Sequence, residues 1–174
     1  MSGELILQTL KGPSSGANAN KVLVPSGHTL DASGGTLVPS AGALVQVETA
    51  THNYFDGTGS GWSDVVTIPF TPKYDNSLII VRYNGHIYKY NSNAFPNSEA
   101  RITHDQGGAY SQIVKHPYVI YHEADNYMYS LSMAASFTVT NTNTYTIRMQ
   151  IDPKSYRTYI YGDSNLFTVE EIKQ

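Results

Sequence analysis

Cysteine is absent from this chain of 174 residues, which excludes disulfides, thiolate metal sites and cysteine nucleophiles and leaves the redox compartment open. The fold therefore has to rest on packing. Charge is also scarce: 14% of residues are Asp, Glu, Lys or Arg and the formal net charge is -3, with a sequence pI near 6.0. No basic field is present to collect nucleic acid or anionic lipid, so neither partner class is expected. No run approaches the roughly 18 apolar residues of a membrane helix. Met1-Ser2-Gly3-Glu4 lacks the basic region and apolar run of a signal peptide, so a product made without export is expected. Strong helix formers are few. The 14 glycines and 14 tyrosines, with abundant Asn, Ser and Thr, favour pleated, turn-rich structure and an all-β fold.

The leader, residues 1–42, differs from the rest. It has no aromatic residue, little charge and the small-residue run Gly12-Pro13-Ser14-Ser15-Gly16-Ala17-Asn18-Ala19-Asn20. Inside it Leu23-Val24-Pro25-Ser26-Gly27 recurs as Leu37-Val38-Pro39-Ser40-Ala41, each copy a short β-prone pair stopped by a Pro-Ser turn. A few apolar side chains per copy cannot offset backbone ordering at ~1–2 kcal/mol per residue, so the segment needs a partner surface. Identical chains around a threefold axis would supply one, with Leu5, Leu7, Val22, Val24, Leu30, Leu37 and Val38 as the assembly candidates. The alternative is a flexible linker whose internal similarity is accidental.

From Ala43 onward the pattern has period two. Val45 and Val47 share one side and Gln46 and Glu48 the other, turns isolate Val65-Val66-Thr67-Ile68, and Leu78-Ile79-Ile80-Val81 reads as a buried strand. Leu131, Met133, Ala135, Phe137 and Val139 alternate with small polar residues, which predicts a long strand. Asn141-Thr142-Asn143-Thr144 is a turn, and Tyr145, Ile147, Met149 and Ile151 then alternate again, so the two runs read as a hairpin. Asp152-Pro153-Lys154 breaks the run, Thr158-Tyr159-Ile160-Tyr161 forms another strand, and Leu166 to Ile172 forms the last. Eight or more short strands at intervals of roughly 8–12 residues predict a two-sheet sandwich or jelly roll over residues 43–174. The stretch from Tyr90 to Tyr127 is less regular, with polar loops around weak strands such as Ala100-Arg101-Ile102-Thr103, and loops of this kind often carry binding.

The order of several segments resembles fibre-like structural proteins of tailed bacteriophages, particularly marine and cyanobacterial ones. The leader from Val22 to Gly35 is similar to segments of those proteins, and Leu44-Val45-Gln46-Val47-Glu48-Thr49-Ala50-Thr51 to the first strand of their terminal domains. Phe70 to Val81 resembles a "TPKSxxSKIxV" element, and Leu166 to Ile172 resembles a closing "ITxxEI" strand. The resemblance implies a homotrimeric jelly-roll head, similar to tumour-necrosis-factor-like domains, on a narrow β stem that attaches to other virion proteins of the tail or capsid. It also implies a place on the surface of the phage particle. One departure stands out: a tail fibre ordinarily has a sizeable anchoring domain and a long shaft, and neither fits within 42 residues. A short fibre tip, a head fibre and a capsid decoration protein held by its N-terminal arm therefore all remain open.

No motif points to catalysis. Asp56-Gly57-Thr58-Gly59-Ser60-Gly61 lacks the Lys-Ser/Thr pair of a phosphate loop and the alternating carboxylates of a calcium loop, and reads as a strand connection. The six histidines lack a nucleophile elbow or metal-ligand spacing, and Pro117 separates His116 from His122, so no cofactor or metal is expected. An axial histidine in a trimer stays open. Tyrosine is the informative enrichment, since it joins a flat apolar face to a hydroxyl at modest entropic cost and so suits contact with protein or sugar. The competing reading places the same rings on strand faces and subunit interfaces. Tyr88, Tyr90, Phe95, Tyr110 and Tyr118 are the receptor-binding candidates because they lie in or beside irregular segments, whereas Trp62 reads as a core or interface plug. A non-enzymatic attachment protein is expected, with a free carbohydrate-binding module and a polysaccharide depolymerase as rivals.

Overall fold

The structure is a computed structural model that describes residues 14–16, 26, 38–52, 54–90, 98–105, 110–116, 128–154, 157–161 and 165–174, excepting the side chains of Lys89, Tyr90, His116, Arg157 and Tyr161. The chain divides into one unit of residues 1–38 and another of residues 39–174. Among the described residues of the second unit every element is a strand: β1 (Leu44–Ala50), β2 (Tyr54–Gly57), β3 (Ser63–Phe70), β4 (Leu78–Tyr90), β5 (Glu99–Asp105), β6 (Tyr110–His116), β7 (Met128–Thr138), β8 (Tyr145–Asp152), β9 (Arg157–Tyr161) and β10 (Leu166–Ile172). They form a 6-stranded and a 4-stranded sheet, antiparallel throughout.

With β2 and β9 set aside, the other strands pair in nested fashion: β5 with β6, β4 with β7, β3 with β8 and β1 with β10. This is one long antiparallel hairpin rolled so that its arms fall alternately in two sheets, giving the orders β1-β10-β4-β7 and β3-β8-β5-β6 of a jelly roll. The 13 residues of β4 make it the spine of the larger sheet. One of its edges is lined by β7, and along the other β10 pairs with Leu78–Asn84 while β9 pairs with Ile87–Tyr90, with β2 beyond β9.

Period-two patterning puts one apolar set from each sheet between them. Ile79, Val81, Tyr83, Ile87, Phe167 and Val169 from the larger sheet meet Phe70, Ile102, Ile147, Met149 and Ile151 from the smaller, all 0% exposed. Gly85 interrupts the inner row of β4 because a Cβ there would stand 2.5 Å from the Tyr83 hydroxyl.

Several sequence expectations are corrected. The runs on either side of Asn141-Thr142-Asn143-Thr144 are not a hairpin, since β7 lies beside β4 and β8 between β3 and β5. Val139 fixes the change of sheet by exchanging backbone hydrogen bonds with the start of β4, donating to Ser77 O and accepting from Asn76 N, both at 3.0 Å. In Leu78-Ile79-Ile80-Val81 only Ile79 and Val81 are buried; Leu78 and Ile80 are half-buried on the outer face. In β1 a register shift between Leu44 and Gln46 sends Val47 outward, 47% exposed, while Gln46 turns inward. Of the connection expected at Asp56–Gly61, Asp56 and Gly57 belong instead to β2, whose Phe55 packs on the core as a pairing partner of Ile160.

Three of the segments that resembled family elements meet at one carboxylate. Glu171 of β10 is 0% exposed. It accepts hydrogen bonds from Lys73 N (2.9 and 3.0 Å), Tyr74 N (3.0 Å), Ser77 Oγ (2.8 Å) and Gln46 Nε2 (2.8 Å). A buried charge is tolerable only when it is hydrogen-bonded in this way. Glu171 thereby fixes the Thr71–Ser77 turn, in which Asn76 adopts the left-handed conformation at φ 59°.

Candidate functional site

The outer face of the smaller sheet is knitted together by charge. Arg148 of β8 reaches Asp105 (3.1 Å) and Asp64 (3.4 Å), and its guanidinium lies 4.3 Å from the Tyr110 ring centroid. Gln150 Nε2 donates to Asp64 Oδ1 at 2.6 Å, and Gln150 Oε1 accepts from Arg101 Nε at 2.7 Å. Arg101 in turn covers the Trp62 ring at 4.0 Å. Trp62 is thus a lid on this network and not a core plug. Burial pulls Arg101 below its usual range, with Asp152 and Asp64 opposing.

At the β5 start, Glu99 takes Lys115 at 2.9 Å and Lys154 at 3.1 Å, and Lys154 also pairs with Asp152 at 2.6 Å. The Lys115 hydrogen bond holds the Glu99 carboxyl low against its burial, with Lys154 adding to the effect. Burial alone would raise Asp152, but hydrogen bonds from the Lys154 ammonium, Gly61 N and Lys154 N outweigh it. Gly61, at φ 118°, brings its N–H to Asp152 Oδ1 at 3.0 Å and anchors the glycine-rich connection after β2.

The outer face of the larger sheet is built of cross-strand rows of different character. At one end Leu44, Ile172, Leu78 and Thr138 stand side by side, and the adjacent row is Val47, Glu170, Ile80 and Ser136. Leu44 is 56% exposed. Mostly small and polar residues follow: Thr49, Thr168, Arg82 and Ala134, then Asn84 and Ser132 beside an exposed Leu166, with Arg82 paired to Glu170 and Ser132 Oγ donating to Asn84 Oδ1 at 2.8 Å. At the far end the row is Asp56, Tyr159, Tyr88 and Met128. Tyr159 lies between two other rings, with centroids 5.6 Å from Tyr54 and 6.1 Å from Tyr88.

Two half-buried histidines lie against aromatic rings. His104 stacks on Phe137 at 4.2 Å with the rings 9° apart, and His52 Nε2 lies 3.4 Å from the Tyr83 hydroxyl. Burial holds both imidazoles below 6.5, partly countered at His104 by Asp105, and the same burial raises the Tyr83 phenol. Among the described residues no group of His, Asp and Glu gathers in a way that could hold a metal ion.

Two of the receptor candidates, Tyr88 and Tyr110, have described side chains. Tyr88 and Tyr110 stand on opposite sheets, with Tyr88 near the end of β4 and Tyr110 at the start of β6 beside Asp105. Phe95 and Tyr118 lie outside the described residues, as does the side chain of Tyr90. Of the assembly candidates, Val38 is 64% exposed, and Leu5, Leu7, Val22, Val24, Leu30 and Leu37 lie outside the described residues. Sequence reasoning missed Tyr54 and Tyr159, which join Tyr88 only through the pairing of β2, β9 and β4. It also missed the outward Val47 and Ile80, whose apolar character had suggested burial.

No family model and no curated protein sequence matches the chain. Among solved structures it is similar to a structure of infectious bursal disease virus, Gx strain, at 14% identity over 84% of this chain and 36% of that chain, TM-score 0.44. It is also similar to the VP2 subviral particle of infectious bursal disease virus, at 10% identity over 93% of this chain and 46% of that chain, TM-score 0.40. The chain spans less than half the length of each of these two relatives.

Proposed function

We propose that this chain is a structural protein of a phage particle that assembles as a homotrimer and presents its jelly roll outward for attachment to a host surface. The observation that carries the reading is the apolar end of the larger sheet's outer face. A sandwich that works alone ordinarily presents polar residues on its outer faces, and large exposed apolar patches mark contact sites. Here Leu44 and Val47 are 56% and 47% exposed beside the half-buried Leu78, Ile80 and Ile172, a surface suited to cover by further copies. The order of segments, similar to that of phage fibre proteins, supports threefold assembly and a virion setting. Residues 1–42 attach to a neighbouring virion protein in this reading.

Mass spectrometry of purified phage particles carrying this gene, followed by electron microscopy of the same particles, tests it. The chain is expected among the particle proteins, with its density at a fibre tip. Density spread over the capsid shell would favour a decoration role, and absence from the particle would end the virion reading.

A further inference from the structure

We infer that the aromatic end of the larger sheet's outer face is a binding site for a neutral glycan. The inference deepens the attachment reading above by naming the ligand class and the site. Asp56, Tyr159, Tyr88 and Met128 follow one another directly across β2, β9, β4 and β7. Three inter-strand steps of ~4.8 Å make this row about 14 Å long. The next row along the strands adds Tyr54, two residues from Asp56, and His86 opposite Ser130. Tyr54 and Met128 are 53% and 61% exposed, whereas Tyr159 is 8% exposed and braces the rings on either side of it.

The chemistry selects the occupant. Sugar rings carry one apolar C–H face and a rim of hydroxyls, and tyrosine rings on a rigid sheet offer flat apolar faces edged by hydroxyls of their own. Asp56 accepts hydrogen bonds from sugar hydroxyls, and the His86 ring and Ser130 supply further polar contacts on the same face. No described Lys or Arg side chain stands in these rows to pair with the carboxylates of uronic-acid or sialylated polymers. The site also lies clear of the apolar assembly end: Tyr88 is ten residues beyond Leu78 in β4, about 33 Å at ~3.3 Å per residue. Assembly and glycan capture are therefore compatible on one sheet.

The test is titration of the full chain with short neutral oligosaccharides of glucose, galactose and mannose, and in parallel with polymers of uronic acid. Binding of a neutral oligosaccharide is expected. Tyr54→Ala and Tyr88→Ala should each weaken it about tenfold, the loss of a ring contact, while Tyr110→Ala on the other sheet leaves it unchanged. Tyr54→Phe and Tyr88→Phe keep the rings and should keep most of the affinity, which covers the case of an alanine variant that does not fold. Failure to bind any neutral sugar overturns the inference, as does preference for the acidic polymers, indifference to both alanine variants, or equal loss in the phenylalanine variants. Sugar binding by a chain absent from phage particles would defeat the virion reading alone, and a particle protein blind to sugars would defeat this one alone.

Discussion

On the outside of the smaller sheet Arg148 holds Asp64 and Asp105 while Arg101 lies on Trp62. On the outside of the larger sheet, strands of the same jelly roll carry Leu44, Val47, Leu78, Ile80 and Ile172 around the Arg82–Glu170 ion pair. Both sheets bury their inner faces equally well, so the contrast does not come from the needs of the core. The smaller sheet engages its outward charges in contacts of its own. The larger sheet leaves apolar surface at one end and aromatic surface at the other, and stability of the isolated sandwich gives no reason for either.

Substitutions can break or sharpen this contrast. The largest effect is expected between the faces, at Glu171. Glu171→Ala leaves the buried Ser77 hydroxyl and three part-buried donors without this acceptor, and at ~1–3 kcal/mol for each group a loss on the order of 4 kcal/mol is expected in chemical denaturation. A loss under about 1 kcal/mol would show that the turn before β4 does not depend on this carboxylate. Next comes Arg148→Met, which takes the cation from Asp64 and Asp105 and leaves them the Gln150 and Thr146 hydrogen bonds. About 1–3 kcal/mol should be lost, whereas the equivalent change on the larger sheet, Arg82→Met, should cost roughly 0–1 kcal/mol because that pair is exposed. Equal costs would erase the distinction between the faces.

Acid should act in two steps. His52 and His104 are held below 6.5 by burial, so the unfolded chain takes up protons first as pH falls through 6.5. Stability should decline from there and level off once the folded imidazoles are themselves protonated. Glu99 and Asp152 lie below their ordinary 4.5 and 3.8, so their contribution is present above those values and lost as pH falls through the lower folded ones. Denaturation midpoints across this range should therefore show a shallow loss near neutrality and a second one in acid. His104→Phe should remove much of the first step, and an unchanged profile would contradict the assignment.

The smallest effect on folding is expected from Leu44→Lys with Val47→Lys, on exposed positions of β1. Monomer stability should move by no more than ~0.5 kcal/mol. Thr67→Lys, on the outer face of β3, is the matching control on the finished sheet.

The strands were largely legible because period-two alternation is a local signal: Leu131 to Phe137 and Tyr145 to Ile151 lie in β7 and β8, and Leu166 to Ile172 coincides with β10. Sheet membership was not legible. Asn141 to Thr144 has the composition of a hairpin turn but links two sheets, a choice made by the distant contacts of Val139 with Asn76 and Ser77. Leu78 and Ile80 reveal a deeper limit, because an apolar run signals removal from water without saying whether the cover is the chain itself or another copy. The tyrosine row was hidden for the same reason as the sheet order: Tyr54, Tyr88 and Tyr159 are far apart in sequence and adjacent only through pairing.

The mass of the purified full chain at micromolar concentration, set beside that of the Leu44→Lys/Val47→Lys variant, tests the meaning of the exposed apolar face most directly. A trimer that the double variant shifts toward monomer, and that Thr67→Lys leaves whole, is the predicted result. A wild-type chain that stays monomeric would contradict the account.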